Sequence, residues 1–295
     1  MGSQPVAHLV GDRLTQQVAA FGRWEDAARA GDDVAIHRMR VVCRRLRALL
    51  ATFRPVFDRA QTDPIRAELA WLAGVLGAAR DAAVVHDRLR GAVDQESPAL
   101  VHGPVRHRLR TTFEGRGKPE LRAALGSPRY ADLRARLGAL AADPPWTELA
   151  DRPVGEVAPR LLRKDGKRVR RRARLAAGAG TDEAWHDARK AVKRLRYAAE
   201  TVEPVAGGPA RRLARDAKRL TATLGELQDT AMSRRELPAL ARAAARAGEP
   251  TFTYGLLHGR ERARAEQLRA RYCAWDTLDM LKSGTRRAGV AVREK

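Results

Sequence analysis

Residues 37–47 read HRMRVVCRRLR, and residues 186–196 read HDARKAVKRLR. At an offset of 149, His37 meets His186, Arg40 meets Arg189, Arg45 meets Arg194, Leu46 meets Leu195 and Arg47 meets Arg196. Arg44 is answered by Lys193, which keeps the charge. An Asp stands four residues before each His, at Asp33 and Asp182, where it can cap a helix. A second echo follows at offset 148: LGAARD at 76–81 and LGELQD at 224–229. Two echoes at nearly one spacing indicate a duplicated unit of about 150 residues.

On a helix, at about 100° per residue, the first stretch separates into faces. His37, Arg40, Arg44 and Arg47 share one arc, flanked by Arg38 and Arg45. Met39, Val42, Cys43, Leu46, Leu49, Leu50 and Phe53 lie opposite. In the second stretch His186, Arg189, Lys193 and Arg196 oppose Ala188, Ala191, Val192, Leu195, Ala199 and Val202. Each is an amphipathic helix with a cationic strip. A solvated face normally mixes signs to gain i,i+4 pair energy. The strip around His37 has no acid, and the one around His186 has only Glu200 near its end. Two such strips call for an anionic partner. A third lies at 156–177, where Arg160, Arg163, Lys164, Lys167, Arg171 and Arg174 share about one third of the circumference. The matching stretch of the first half is poor in cations, so the binding surface should be lopsided.

The rest of the chain is consistent with this reading. It has 295 residues, 57 Lys plus Arg against 35 Asp plus Glu, and a formal charge of +22. Such a field attracts polyanions. Residues 1–150 carry +6 and residues 151–295 carry +16. Good helix formers dominate and strand-like alternation is absent, so the chain should be all-α. Helices are expected near 6–30, 34–54, 63–94, 98–114, 128–142, 156–177, 183–203, 209–247 and 251–282, with a frayed tail beyond. Cys43 and Cys273 form no motif, which excludes a disulfide framework and a Cys-type zinc site and fits a reducing cytoplasm. No signal peptide or run of 18 apolar residues is present, so no membrane association is expected. Seven histidines occur without a metal-binding pattern, so neither a metal nor another cofactor is expected. A His among arginines should stay neutral and hydrogen-bond phosphate from its ring.

These paired motifs resemble the signature helices of CHAD domains, the conserved-histidine α-helical domains, and LGAARD and LGELQD resemble the family's second signature. The resemblance covers roughly residues 5–280. It implies two similar helical bundles, 5–145 and 154–282, related by a pseudo-two-fold axis around a basic central cleft or pore, with 283–295 as a flexible tail. It also implies binding of inorganic polyphosphate and association with polyphosphate granules. The ligand-facing set it implies is His37, Arg40, Arg44, Arg45 and Arg47 with His186, Arg189, Lys193, Arg194 and Arg196, Tyr197 being adjacent. The strip from Arg160 to Arg174 joins this set by its charge.

Other functions compete with this one. A nucleic-acid binder fits the charge, but aromatics are only 5% and no helix-turn-helix or RNP-type motif occurs, so weak binding is the most expected. An enzyme acting on phosphate chains would need an ExExK tunnel motif, a P-loop or a carboxylate cluster for Mg²⁺, and none is present. Asp81 and Asp229 are expected to pair with arginines. The expectation is a non-catalytic module.

Overall fold

The computed structural model describes residues 3–273 and 277–293. Among these residues every regular element is helical. The α-helices are α1 (Val6–Gly22), α2 (Glu25–Arg29), α3 (Asp33–Thr52), α4 (Arg59–Asp94), α5 (Val105–Phe113) and α6 (Lys118–Leu125). They continue with α7 (Pro128–Ala142), α8 (Val154–Ala179), α9 (Asp182–Ala206), α10 (Gly208–Arg246), α11 (Phe252–Cys273) and α12 (Thr277–Arg293).

The amphipathic patterns decide how α3 and α9 lie. Ile36, Met39, Cys43, Leu46 and Leu50 of α3 are buried, as are Ala188, Val192, Leu195, Ala199 and Val202 of α9. The cationic faces are thereby turned away from the core. α3 packs on α4, α9 packs on α10, and α3 touches α9. The starts of α1 and α8 lie side by side. Val6 N donates to Arg152 O over 3.0 Å and Val154 N to Gln4 O over 2.9 Å, a reciprocal pair at the offset of 148.

The apolar core is shared. One cluster runs from Val6 in α1 through α3, α8, α9 and α10 to Val292 in α12, so the two expected bundles do not own separate cores. A second cluster joins the far halves of α4 and α10 to α5 and α11 through Leu89, Leu109, Phe113, Leu240 and Tyr254. Arg88 forks onto Glu261 beside it, at 2.8 and 2.9 Å. Part of α4 is long and apolar enough to cross a bilayer by length and composition, which the sequence reading had not found. In the fold one face of it, Leu69, Leu72, Leu76, Ala79, Ala82, Val85 and Leu89, is buried in these clusters, while Trp71, Val75 and Val84 are only partly covered.

Several boundaries differ from expectation. The caps are Asp32 and Thr181, whose side chains accept from Ala35 N and Ala184 N; Asp33 and Asp182 are the first helical residues. Pro64 lies inside α4, which begins at Arg59 and not near 63, and Pro204 lies in the last turn of α9, where a single backbone N–H is missing. The stretch 98–114 is broken at Pro104. α6 was expected to be loop. It starts after Gly117, whose φ is 81° and where a Cβ would stand 2.8 Å from Ala79 N, so only glycine lets it dock on α4. The tail is corrected too. Residues 283–293 belong to α12, with Ala288 and Val292 buried. Gly284 and Gly289 allow close approach to Leu213 and Pro159.

Candidate polyanion-binding site

Arg194 fastens the crossing of α3 and α9. Its Nε lies 2.9 Å from Asp165 Oδ1 and donates to Thr52 Oγ1 over 3.2 Å, while Nη2 donates to Ala51 O. Thr52 Oγ1 donates in turn to Asp165 Oδ2 over 2.7 Å. Asp165, on α8, is 1% exposed. Three helices therefore meet on one buried carboxylate. Arg194 is committed to this clamp.

Around that crossing lie Arg40 and Arg44 of α3 and Arg189 and Lys193 of α9. Burial comes first in holding Arg44 and Arg189 below the ordinary arginine value, and Arg40 adds to it in both. Lys193 is pushed down to about 6, by burial first and then by Arg189, Arg44, Arg40 and Arg196. Among the described residues, no carboxylate lies within ion-pair distance of Arg44, Arg47 or Lys193. Like charges held together at partial burial are costly unless an anion completes the site.

The second signature explains how two of these arginines are carried. Arg40 Nη1 donates to Asp81 Oδ1 over 2.7 Å, and its guanidinium lies on Gly77. Arg189 lies in the same way on Gly225, with Asp229 as its electrostatic partner. Burial holds the Asp229 carboxyl above its ordinary range against the pull of Arg189. The expectation that Asp81 and Asp229 serve arginines agrees with this geometry.

Two hollows adjoin the cluster. One, of 190 Å³, is lined by Arg44, Arg47, Arg66, Lys190, Lys193, Arg194 and Tyr197 with Ala48 and Ala51. The other, of 350 Å³, shares Arg47, Lys190 and Arg194 and adds Ala191, Arg168, Arg172 and Asp187. Asp187 is the one carboxylate among these linings, and it pairs with Arg172 at 3.1 Å and Lys190 at 2.5 Å.

The remaining expected residues divide. Arg45 and Arg196 are drawn to Glu200, at 3.4 and 2.8 Å, and both lie over the Tyr197 ring. Glu200 also takes Arg13, at 3.6 Å, so the acid noted at the end of the strip ties down a corner of it. Burial and the neighbouring Arg80, Arg44, Arg38 and Arg40 hold His37 below the usual imidazole value. Burial is also the main cause for His186. His186 Nδ1 lies 2.7 Å from Gln228 Oε1, so that ring nitrogen is used within the fold. Neither His lines the two hollows.

The α8 strip stands outside these two hollows. Arg160, Arg163, Lys164, Lys167, Arg171 and Arg174 are all exposed and line neither hollow. The α8 cations that do are Arg168 and Arg172, on the flank of the helix next to buried Asp165 and Val169. Their i,i+4 spacing beside the apolar face was a readable signal. Arg66 and Lys190 were missed as well. Arg66 comes from α4, outside both repeated motifs, and nothing local in the sequence marks it.

Comparison with known proteins follows this geometry. The CHAD domain family profile matches residues 12–238. The Mycobacterium tuberculosis proteins MT2285 (strain CDC 1551 / Oshkosh) and Rv2226 (strain ATCC 25618 / H37Rv), both uncharacterized, are each 38% identical over 304 residues. The match covers 99% of this chain and 55% of each of them, so the chain spans about half the length of these curated relatives. Among solved structures, PptA from Streptomyces chartreusis superposes with a TM-score of 0.72 at 22% identity, covering 91% of this chain and 98% of that one. The CHAD domain from the plant Ricinus communis gives 0.68 at 24% identity, covering 96% and 92%. These two likenesses concern the fold. With the profile spanning most of its length and relatives 38% identical over nearly all of it, the chain belongs to the CHAD family.

Proposed function

We propose that this protein binds inorganic polyphosphate, without turning it over, at the cluster of Arg40, Arg44, Arg189 and Lys193. The observation that carries the reading is the meeting of these four cations from α3 and α9, with Arg44 and Lys193 lacking a carboxylate partner among the described residues. A linear polyanion with one charge per phosphate and no bases suits a row of rigidly held guanidinium groups, which make forked, charge-assisted bonds to phosphate oxygens.

The reading includes an internal duplication with a pseudo-two-fold axis through a central cleft. The reciprocal Val6 and Val154 hydrogen bonds support it, as do the two arginines laid on Gly77 and Gly225. The non-catalytic part rests on the use of Asp81 and Asp229, which face Arg40 and Arg189. In a cell such binding would seat the protein on polyphosphate granules in the cytoplasm.

The test is direct binding of long-chain polyphosphate, RNA and duplex DNA at one fixed salt concentration of ~150 mM. The proposal expects polyphosphate to bind most tightly per phosphate and RNA weakly. Equal binding of all three would favour a general nucleic-acid surface.

A further inference from the structure

The exposed ridge of α8 has no place in the cluster just described. Arg160, Arg163, Lys164, Lys167, Arg171 and Arg174 run along one face for about 21 Å, at 1.5 Å per residue. The acids of α8 do not serve it: Asp165 is buried under Arg194 and Glu156 pairs with Arg152. Pairs such as Arg163 with Lys167 and Lys167 with Arg171 stand at i,i+4 and repel. A merely solvated face would relieve that repulsion with Glu or Asp.

The ridge is also one-sided. Counted from the paired starts of α1 and α8, the positions in the first half are Asp12, Thr15, Gln16, Ala19, Arg23 and Asp26, one cation with two acids. Duplication therefore does not account for it.

What connects the ridge to the site is the helix itself. Arg168 and Arg172 line the 350 Å³ hollow with Arg47 and Lys190, and they adjoin Lys167 and Arg171 in sequence. Around the helix, at about 100° per residue, the cations run from the ridge to this flank with no exposed acid between. The hollows of 190 and 350 Å³ hold a few phosphoryl groups, far less than a long chain.

We infer that the α8 ridge is a second binding segment, which holds the part of a long polyphosphate chain that emerges from the hollow past Arg168 and Arg172. This rests on the polyphosphate reading above and adds to it a dependence on chain length. A short chain fills the hollow and gains nothing from the ridge. A long chain engages both, and the second contact is intramolecular, which raises avidity without altering the first.

The experiment titrates tripolyphosphate and long-chain polyphosphate into three proteins: the unaltered chain, a ridge variant (Arg163→Ser, Lys164→Ser, Lys167→Ser, Arg171→Ser) and a cluster variant (Arg44→Ala, Lys193→Ala). The ridge variant should keep its tripolyphosphate affinity and lose about tenfold or more for the long chain. Its log–log salt slope for the long chain should fall by about 3. The cluster variant should lose both ligands. Because the ridge is exposed, its variant should melt at the unaltered temperature; charge reversal at Lys164 and Lys167 alone provides a milder second variant.

Unchanged long-chain affinity in the ridge variant would overturn the inference, and so would an equal loss of both ligands. A ridge variant that loses RNA binding but not polyphosphate would reassign the surface to nucleic acid. Failure of the unaltered protein to bind either polyphosphate would instead remove the functional reading itself.

Discussion

Arg40 Nη1 donates to Asp81 Oδ1 over 2.7 Å, and the guanidinium that does so lies on the backbone of α4 at Gly77. A Cβ on Gly77 would stand 3.4 Å from Arg40 Nη2, and one on Gly225 would stand 3.3 Å from Arg189 Nη2. The Gly and the Asp one turn later in LGAARD and LGELQD thus have one physical purpose. They make room for an arginine of the preceding signature helix and fix its direction.

Gly77→Val and Gly225→Val should therefore displace Arg40 and Arg189 and weaken polyphosphate binding by about tenfold each, equivalent to about 1.4 kcal/mol. Stability should change by less than about 1 kcal/mol, since the neighbour that must move is the end of a flexible side chain. Titration and thermal melting on the same samples separate the two effects. A large melting change with intact binding would show the glycines serve only helix packing.

Arg194→Ala should do the opposite. It leaves Asp165 buried without its cation, at a cost of about 3–5 kcal/mol. Chemical denaturation should show this loss, whereas Arg47→Ala should weaken binding and leave stability nearly unchanged.

Lys193 makes binding depend on pH. Its pKa of about 6 in the fold lies far below the ordinary lysine value of 10.5, by burial first and then by its four arginine neighbours. Between those values the unfolded chain binds more protons than the folded one, so Lys193 makes stability rise with pH across that window; below about 6 its penalty is complete. A polyanion restores the ammonium, so binding at pH 8 should take up a proton, and affinity should fall as pH rises above about 6. Calorimetry in two buffers of different ionisation enthalpy measures the uptake. Lys193→Arg should abolish it at pH 8, and the unaltered protein binding with no uptake would contradict this account of Lys193.

Incubation with polyphosphate and Mg²⁺ should release no orthophosphate above background. Sustained release that Asp81→Asn or Asp229→Asn removes would make the protein a hydrolase.

Much of this was legible in the sequence, for particular reasons. The repeated motif placed α3 and α9 and turned Arg40, Arg44, Arg189 and Lys193 to one side, because a 3.6-residue period fixes which side chains share a face. Arg194 and Arg45 have the same motif position, yet one meets buried Asp165 and the other meets Glu200. That difference is tertiary, and no local pattern reports it. The α8 strip was visible as charge, but which flank faces the hollow depends on how α8 packs against α9 and α12. Gly117, Gly284 and Gly289 are contact points, and a glycine shows its role only when its neighbour is known.

The most direct test of the central claim is competition between long-chain polyphosphate and RNA at equal phosphate concentration and ~150 mM salt, with the unaltered protein and with Arg40, Arg44, Arg189 and Lys193 all changed to Ala. In the unaltered protein, polyphosphate should displace RNA and RNA should not displace polyphosphate. The fourfold variant should lose that preference, keep weak RNA binding, and melt no lower, because removing like charges relieves repulsion. If RNA competes equally from the start, and the four substitutions lower both affinities in proportion, the cluster is not a polyphosphate site.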